Sequence, residues 1–319
     1  MIDTIILQNL TTKNTVEMGK SFGFPYILET DGIDWGEVEA VHSKYTNLTG
    51  IGNIITSTKL DTRNITITGR VCCTHTNKQL SLMYGLDTLE EINQKRLDEI
   101  KDAEKVLSQL VNPLHYIRVR LGNYYIDGKP RTSVQYAYKD KENNEIYCKF
   151  MFVLYCSDPM FHYKDVVEVP LSGVSGGFHF PVVIPENTGM HFGTILSYSL
   201  ITVRNMGDVA VGAVIRIEAT GIVVNPRISS LYAEEELVVN KTLYEGEIIE
   251  IDTNSRTITG YSGQGSAGQS YFPYWDFDNS WIQFAVGANL IGYSADGDTQ
   301  NNMDITITVN PSYFAVEGQ

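Results

Sequence analysis

Two-residue alternation of apolar and polar side chains, interrupted every few residues by turn chemistry, constrains this chain more than any other feature. Residues 64–73 place Ile65, Ile67, Val71 and Cys73 on one face and Cys72 on the other. Residues 145–156 repeat the pattern at greater length, with Ile146, Cys148, Phe150, Phe152, Leu154 and Cys156 opposed to Tyr147, Lys149 and Met151. Three of the four cysteines, Cys73, Cys148 and Cys156, therefore read as core filler. Further strands are expected at 195–204, 211–219, 248–251, 256–261, 281–286 and 303–309, and the turn signals between them have the spacing of an antiparallel sandwich.

One helix stands out between Asp87 and Val111. Thr88-Leu-Glu-Glu91 is a capping box, Leu97, Ile100, Ala103, Leu107 and Leu110 follow helical spacing, and Asn112-Pro113 supplies the stop. The opposite face, with Lys95, Asp98, Glu99, Asp102 and Lys105, is expected to be solvated.

A chain of 319 residues exceeds the commonest single-core size, so two domains are expected, residues 1–165 and 166–319. Charge changes at the same place. Residues 1–165 hold 19 Lys+Arg and 21 Asp+Glu, whereas 166–319 hold 5 and 17 of the overall net charge of −14. An acidic second half repels nucleic acid and anionic membranes; a near-neutral first half suits close self-association. No apolar run approaches the ~20 residues that span a bilayer, the start lacks the pattern of a secretory signal, and no Cys-x-x-Cys pair occurs, so synthesis in a reducing cytoplasm is expected.

Motifs that could carry chemistry are each better explained otherwise. Gly173-Val-Ser175-Gly-Gly177 matches a hydrolase nucleophile elbow, but Phe178-His179-Phe-Pro181 cannot begin the helix that elbow requires. Gly263-Gln-Gly265-Ser-Ala-Gly268 matches a dinucleotide fingerprint, again with no helix after it. Asp296-Gly-Asp298-Thr-Gln-Asn301 begins like a calcium loop but has Asn301 at the glycine position and Ile307 in place of the bidentate Glu. His42, His75, His115, His162, His179 and His191 form no metal motif. No catalytic, cofactor or metal residues are assigned. The candidates for ligand or partner contact are Trp275, Tyr271 and Tyr274, in an aromatic cluster at the end of a Gly-rich loop; Trp281, in an expected strand, reads as buried.

The ordered series Asn205-Met-Gly-Asp, Asn225-Pro226-Arg227-Ile228, Leu243-Tyr-Glu-Gly-Glu247, Ile251-Asp252-Thr253, Trp281-Ile-Gln-Phe284 and Gly287-Ala-Asn289 resembles the C-terminal half of phage distal tail proteins. Gly23-Phe24-Pro25-Tyr26, Thr62 to Arg70, Leu110 to Pro113 and Cys156-Ser-Asp-Pro-Met-Phe161 extend the resemblance to the N-terminal half. It implies a mainly β protein: an N-terminal β-sandwich-like, ring-forming domain with one packed α-helix, and a C-terminal galectin-like antiparallel β-sandwich. It further implies a non-enzymatic virion protein, made in the host bacterial cytoplasm and placed at the tail tip or baseplate. The implied partners are five further copies in a homo-hexamer, the tail tube protein, the tail-tip hub or tail-associated lysin, and a receptor-binding protein. Nucleic acid would pass through a channel without specific binding, and no membrane insertion is implied. The alternatives are a carbohydrate-binding module of the tail and a cell-wall hydrolase.

Overall fold

The structure, a computed structural model, describes residues 4–20, 25–46, 51–142, 145–170, 172–176, 193–197, 200–276, 278–297 and 299–316. The protein is mainly β. It divides into two compact units, Met1–Lys164 with Phe314–Gln319, and Asp165–Tyr313. The last residues thus return to the first unit, which a division into 1–165 and 166–319 does not include.

In the first unit the elements run β1 (Thr4–Asn9), β2 (Thr15–Gly19), β3 (Tyr26–Asp34), β4 (Ala40–Thr46), β5 (Asn53–Leu60), β6 (Arg63–Cys72), α1 (Asn77–Tyr84), α2 (Leu89–Leu110), β7 (Ile117–Leu121), β8 (Tyr124–Pro130), β9 (Gln135–Glu142), β10 (Glu145–Cys156) and β11 (Phe161–Tyr163). The sheet has the order β11-β8-β7-β1-β2-β3-β6-β10-β9. It curls far enough for β8 to meet β10 at Leu154↔Pro130 and Tyr155↔Lys129, closing the intervening strands into a barrel. Alternation supplies the core as expected: Ile65, Ile67 and Val71 of β6 and Cys148, Phe150, Phe152, Leu154 and Cys156 of β10 are buried. Tyr147 is buried as well, with Arg70 over its ring.

Two helices pack here rather than one. Thr88 and Glu91 close the capping box of α2 reciprocally, and Ile92, Ile100, Leu107 and Leu110 are its buried residues. The unexpected α1 has its own box, Thr76 with Gln79, and ends on Gly85 in the left-handed conformation that glycine adopts without strain. Two phenols fix α2 to the sheet: Tyr26 donates to the Ala103 carbonyl and Tyr136 to that of Glu104, each at 2.8 Å.

The second unit contains β12 (Val167–Pro170), β13 (Ser172–Gly176), β14 (Gly193–Ser197), β15 (Leu200–Asn205), β16 (Ala213–Ala219), β17 (Val223–Ser230), β18 (Glu235–Val238), β19 (Thr242–Leu243), β20 (Ile248–Asp252), β21 (Thr257–Tyr261), β22 (Gln269–Ser270), β23 (Gly287–Asp296) and β24 (Met303–Val309). One sheet has the order β12-β24-β16-β20-β21-β22, another β15-β23-β17-β18. Ile215, Ile217, Ile249, Ile251, Ile305 and Ile307 from the first share one core with Val203, Ile228, Leu237, Ile291 and Tyr293 from the second, the construction of a sandwich. Residues 281–286 form no strand, although one was expected; only Phe284 pairs, in an isolated bridge with Val211. The backbone there is held instead by Asn205, 1% exposed. Its amide donates to the carbonyls of Phe284 and Val209 and accepts from the Gly207 N–H.

Two outcomes follow. Asn205→Ala removes three hydrogen bonds at a buried site, taking the side-chain partner from the Val209 carbonyl and the Gly207 N–H while the Phe284 carbonyl keeps the Val211 N–H, so urea denaturation should show a loss of about 2–4 kcal/mol. Burial raises the Tyr26 phenol to about 12, aided by Tyr136, and burial likewise raises Tyr136 to about 12. Raised acids stabilise the fold fully below the ordinary phenol value of 10.0 and cease to do so as pH climbs toward about 12. A stability–pH profile should therefore fall across that window in the wild type and less steeply in Tyr26→Phe; equal slopes would contradict the anchoring role.

Candidate functional site

The aromatic cluster begins where β22 ends. Pro273 lies in the first turn of the short 3-10 helix Phe272–Tyr274, after which Trp275 bridges to Val239. Tyr271 N–H donates to the Ile258 carbonyl, and the Tyr271 ring lies so close over Gly260 that a Cβ there would sit 2.0 Å from it. Tyr274 meets Tyr271 edge-on at 5.4 Å, and the Lys241 ammonium lies over both rings. Trp275 stacks on Trp281 at 4.1 Å with 12° between planes.

Burial sorts these rings. Trp275 and Tyr271 are 9% and 8% exposed and belong to the sandwich core, while Tyr274 and Phe272 are 40% and 45% exposed. Trp281, expected inside, is only partly buried and covers Trp275. Of the three sequence candidates, Tyr274 alone presents substantial surface; Trp275 and Tyr271 are its foundation.

The motif matches resolve as structure. Ser175 lies within β13, paired to Thr194 of β14, and not at a strand-to-helix turn; Gly177 and His179 fall outside the described residues. Residues 262–268 turn from β21 into β22, with no helix to receive a pyrophosphate. Asp296 spends both carboxylate oxygens on Asn225 Nδ2 at 2.8 Å and Arg227 at 2.9 Å; Asp298 falls outside the described residues.

One constellation was not foreseen. Cys73 lies past the end of β6 and is half-buried rather than core. Its thiol donates to Glu99 Oε2 at 2.8 Å, and His75 Nδ1 is 3.2 Å from the same oxygen. Burial and then the Glu99 hydrogen bond push the Cys73 thiol up to about 11. Burial pushes the Glu99 carboxyl up, but the bonds from Cys73 and His75 outweigh it and its pKa is lowered. Glu99 is therefore not on a merely solvated helix face. The donors are separated by 26 residues with only Cys73-x-His75 adjacent, so sequence spacing gave little signal.

The hairpin β4–β5 is the largest surface anomaly. Every residue of both strands is exposed, among them Val41, Tyr45, Ile54, Ile55 and Leu60. Soluble monomers rarely leave so much apolar area uncovered on one element. Among the described residues no helix is long and apolar enough to cross a membrane.

Residues 206–313 match the family model of the siphovirus-type tail component, C-terminal domain. That stretch of the second unit is similar to the siphovirus-type tail component domain. The crystal structure of the Dit protein of phage SPP1, described as a paradigm of the hub adsorption apparatus in phages infecting Gram-positive bacteria, has the same fold. It aligns with a TM-score of 0.60 at 12% identity over 97% of this chain and 98% of its own. The resemblance to phage distal tail proteins is thereby borne out. The phage P2 baseplate in its activated conformation, with calcium or with strontium, gives TM-scores of 0.44 and 0.42 at 13% and 11% identity, over 98% and 96% of this chain and 99% and 97% of theirs. No curated protein matches the sequence.

The family signature residues Asn205, Thr253 and Asn289 are all buried polar groups of the sandwich, and Asn225 takes a positive φ of 48° at a bulge in β17. Asn205, Thr253 and Asn289 spend their side chains on backbone groups of the sandwich. Core truncation at Trp275 should accordingly cost about 3–5 kcal/mol of stability in chemical denaturation, whereas Tyr274→Ala should cost under about 1 kcal/mol. Similar losses for both would place Tyr274 in the core and remove it as a contact residue.

Proposed function

We propose that the protein is a structural, non-enzymatic part of a phage tail tip or baseplate. In this reading its first unit closes into a hexameric ring between the tail tube protein and the tail-tip hub or tail-associated lysin, leaving a channel for the genome. The observation that carries the reading is the β4–β5 hairpin. A two-stranded sheet is marginal in water by itself, and this one keeps its apolar side chains on the outside. A second copy of the chain is its occupant. The first unit is nearly neutral, so closely packed copies accumulate little repulsion, and a heterologous contact repeated around an axis closes into a ring and limits itself. The acidic tail-component sandwich is then outward-facing, where its charge keeps the assembly soluble. The description of the SPP1 Dit protein, which has the same fold, as a paradigm of the hub adsorption apparatus supports this reading.

A second reading, carbohydrate binding, has Tyr274 and Phe272 as exposed rings suited to stacking on a sugar. Glycan-array binding abolished by Tyr274→Ala with no ring formation would favour it over assembly.

Rings should be visible by negative-stain microscopy at high protein concentration or with tail partners. The double variant Ile54→Asp, Ile55→Asp should sediment as a monomer with an unchanged circular dichroism spectrum, since both positions are exposed. Absence of rings under all these conditions would defeat the assembly reading. Rings formed equally well by the double variant would defeat the hairpin's part in it.

A further inference from the structure

The segment joining β6 to α1 brings three kinds of metal-ligating atom to one point on α2. Cys73 Sγ and His75 Nδ1 both address Glu99 Oε2, at 2.8 and 3.2 Å, and the three ligating atoms all lie within 4.8 Å of one another. A tetrahedral zinc ion holds nitrogen and oxygen at about 2.0–2.2 Å and sulfur at about 2.3 Å, which puts its ligand atoms on the order of 3–4 Å apart. The group therefore has the span of a coordination sphere, and small side-chain rotations suffice to open it around an ion.

Donor chemistry selects the metal. A thiolate, an imidazole and a single carboxylate form a mixed S, N, O set, suited to a borderline cation; calcium and magnesium require oxygen ligands. Charge also balances, because thiolate and carboxylate together offset a dication. Lys95 and Arg96 lie near enough to act on Glu99 and Cys73 respectively, and they oppose a cation. Two anionic ligands in direct contact outweigh those more distant charges. The His75 and Glu99 side chains are 36% and 21% exposed, so one side of the cluster is walled by protein and the other is reachable from solvent.

We propose that Cys73, His75 and Glu99 form a zinc site with three protein ligands and water in the fourth position, fastening the β6–α1 segment to α2. On binding, the Cys73 thiol gives its proton to solvent and a Zn–S bond forms. His75 coordinates through the Nδ1 lone pair with its proton on Nε2, and Glu99 exchanges two hydrogen bonds for one Zn–O bond. No electron is transferred. This inference is independent of the assembly reading above.

Cobalt(II) is the probe, added to the full chain under a phosphine reductant. One equivalent should produce a thiolate-to-cobalt charge-transfer band in the near ultraviolet and the strong visible bands of four-coordination, and zinc should displace both. Cys73→Ser should abolish the charge-transfer band, His75→Ala should weaken binding by ~10-fold or more, and Cys72→Ser should leave the spectrum unchanged. Circular dichroism identifies any variant that fails to fold. Absence of the band in the wild type, its survival in Cys73→Ser, or undiminished affinity in His75→Ala would overturn the site.

Discussion

The side-chain amide of Asn205 is the interaction on which the second unit turns. A sandwich pairs the backbone of its strands automatically, but the segments around 206–212 and 281–286 leave the ladders and carry polar groups into the interior. A carboxamide supplies two donors and an acceptor in one small planar group, and Asn205 uses all of them, on Phe284, Val209 and Gly207. Asn289 serves the Ala285 carbonyl in the same way, and the Thr253 hydroxyl accepts from the Ala213 N–H. The first unit repeats the device with Asn9, which donates to the Leu110 carbonyl at the end of α2 and accepts from the N–H groups of Thr11 and Thr12. Buried asparagines thus do for irregular chain what hydrogen-bonded ladders do for strands.

This explains which parts of the fold were legible. Strands β6, β10, β16 and β24 are half-exposed ribbons whose alternation is written directly into Arg63–Cys72, Glu145–Cys156, Ala213–Ala219 and Met303–Val309. The helix α2 was equally plain, because Thr88, Glu91 and the spacing of Ile100, Leu107 and Leu110 agree. Residues 281–286 alternate like a strand for a different reason: Ile282 and Phe284 are buried between side-chain-held backbone, not along a ladder. The short α1 buries only Leu80, so no helical period is visible in it, although Thr76, Gln79 and Gly85 marked its ends.

The sites were less legible than the scaffold, and the residues show why. Cys73 was assigned to the core by extending a two-residue period one position past the end of its strand. Glu99 was assigned to water because neighbouring charges on a helix usually are, whereas Cys73 and His75 contact it. Trp275 is buried in the core and Trp281 only partly so, since which face of a loop points inward depends on the chain it packs against. In each case the missing information was a tertiary contact from a distant segment. The exposed hairpin is the converse: its apolar residues have no covering surface among the described residues of the unit.

The second unit is inserted within the first, and Phe314 returns to give its carbonyl to the buried guanidinium of Arg63 at 2.7 Å. Arg63 also lies over the Phe161 ring, and burial lowers its pKa. During synthesis this charge must wait for its last partner until the whole intervening unit has left the ribosome. Arg63 and Phe314 are 251 residues apart, so at ~5–20 residues per second that delay is on the order of ten to fifty seconds. The N-terminal unit is thus the first to begin folding and the last to be completed, so the finished sandwich precedes the finished first unit.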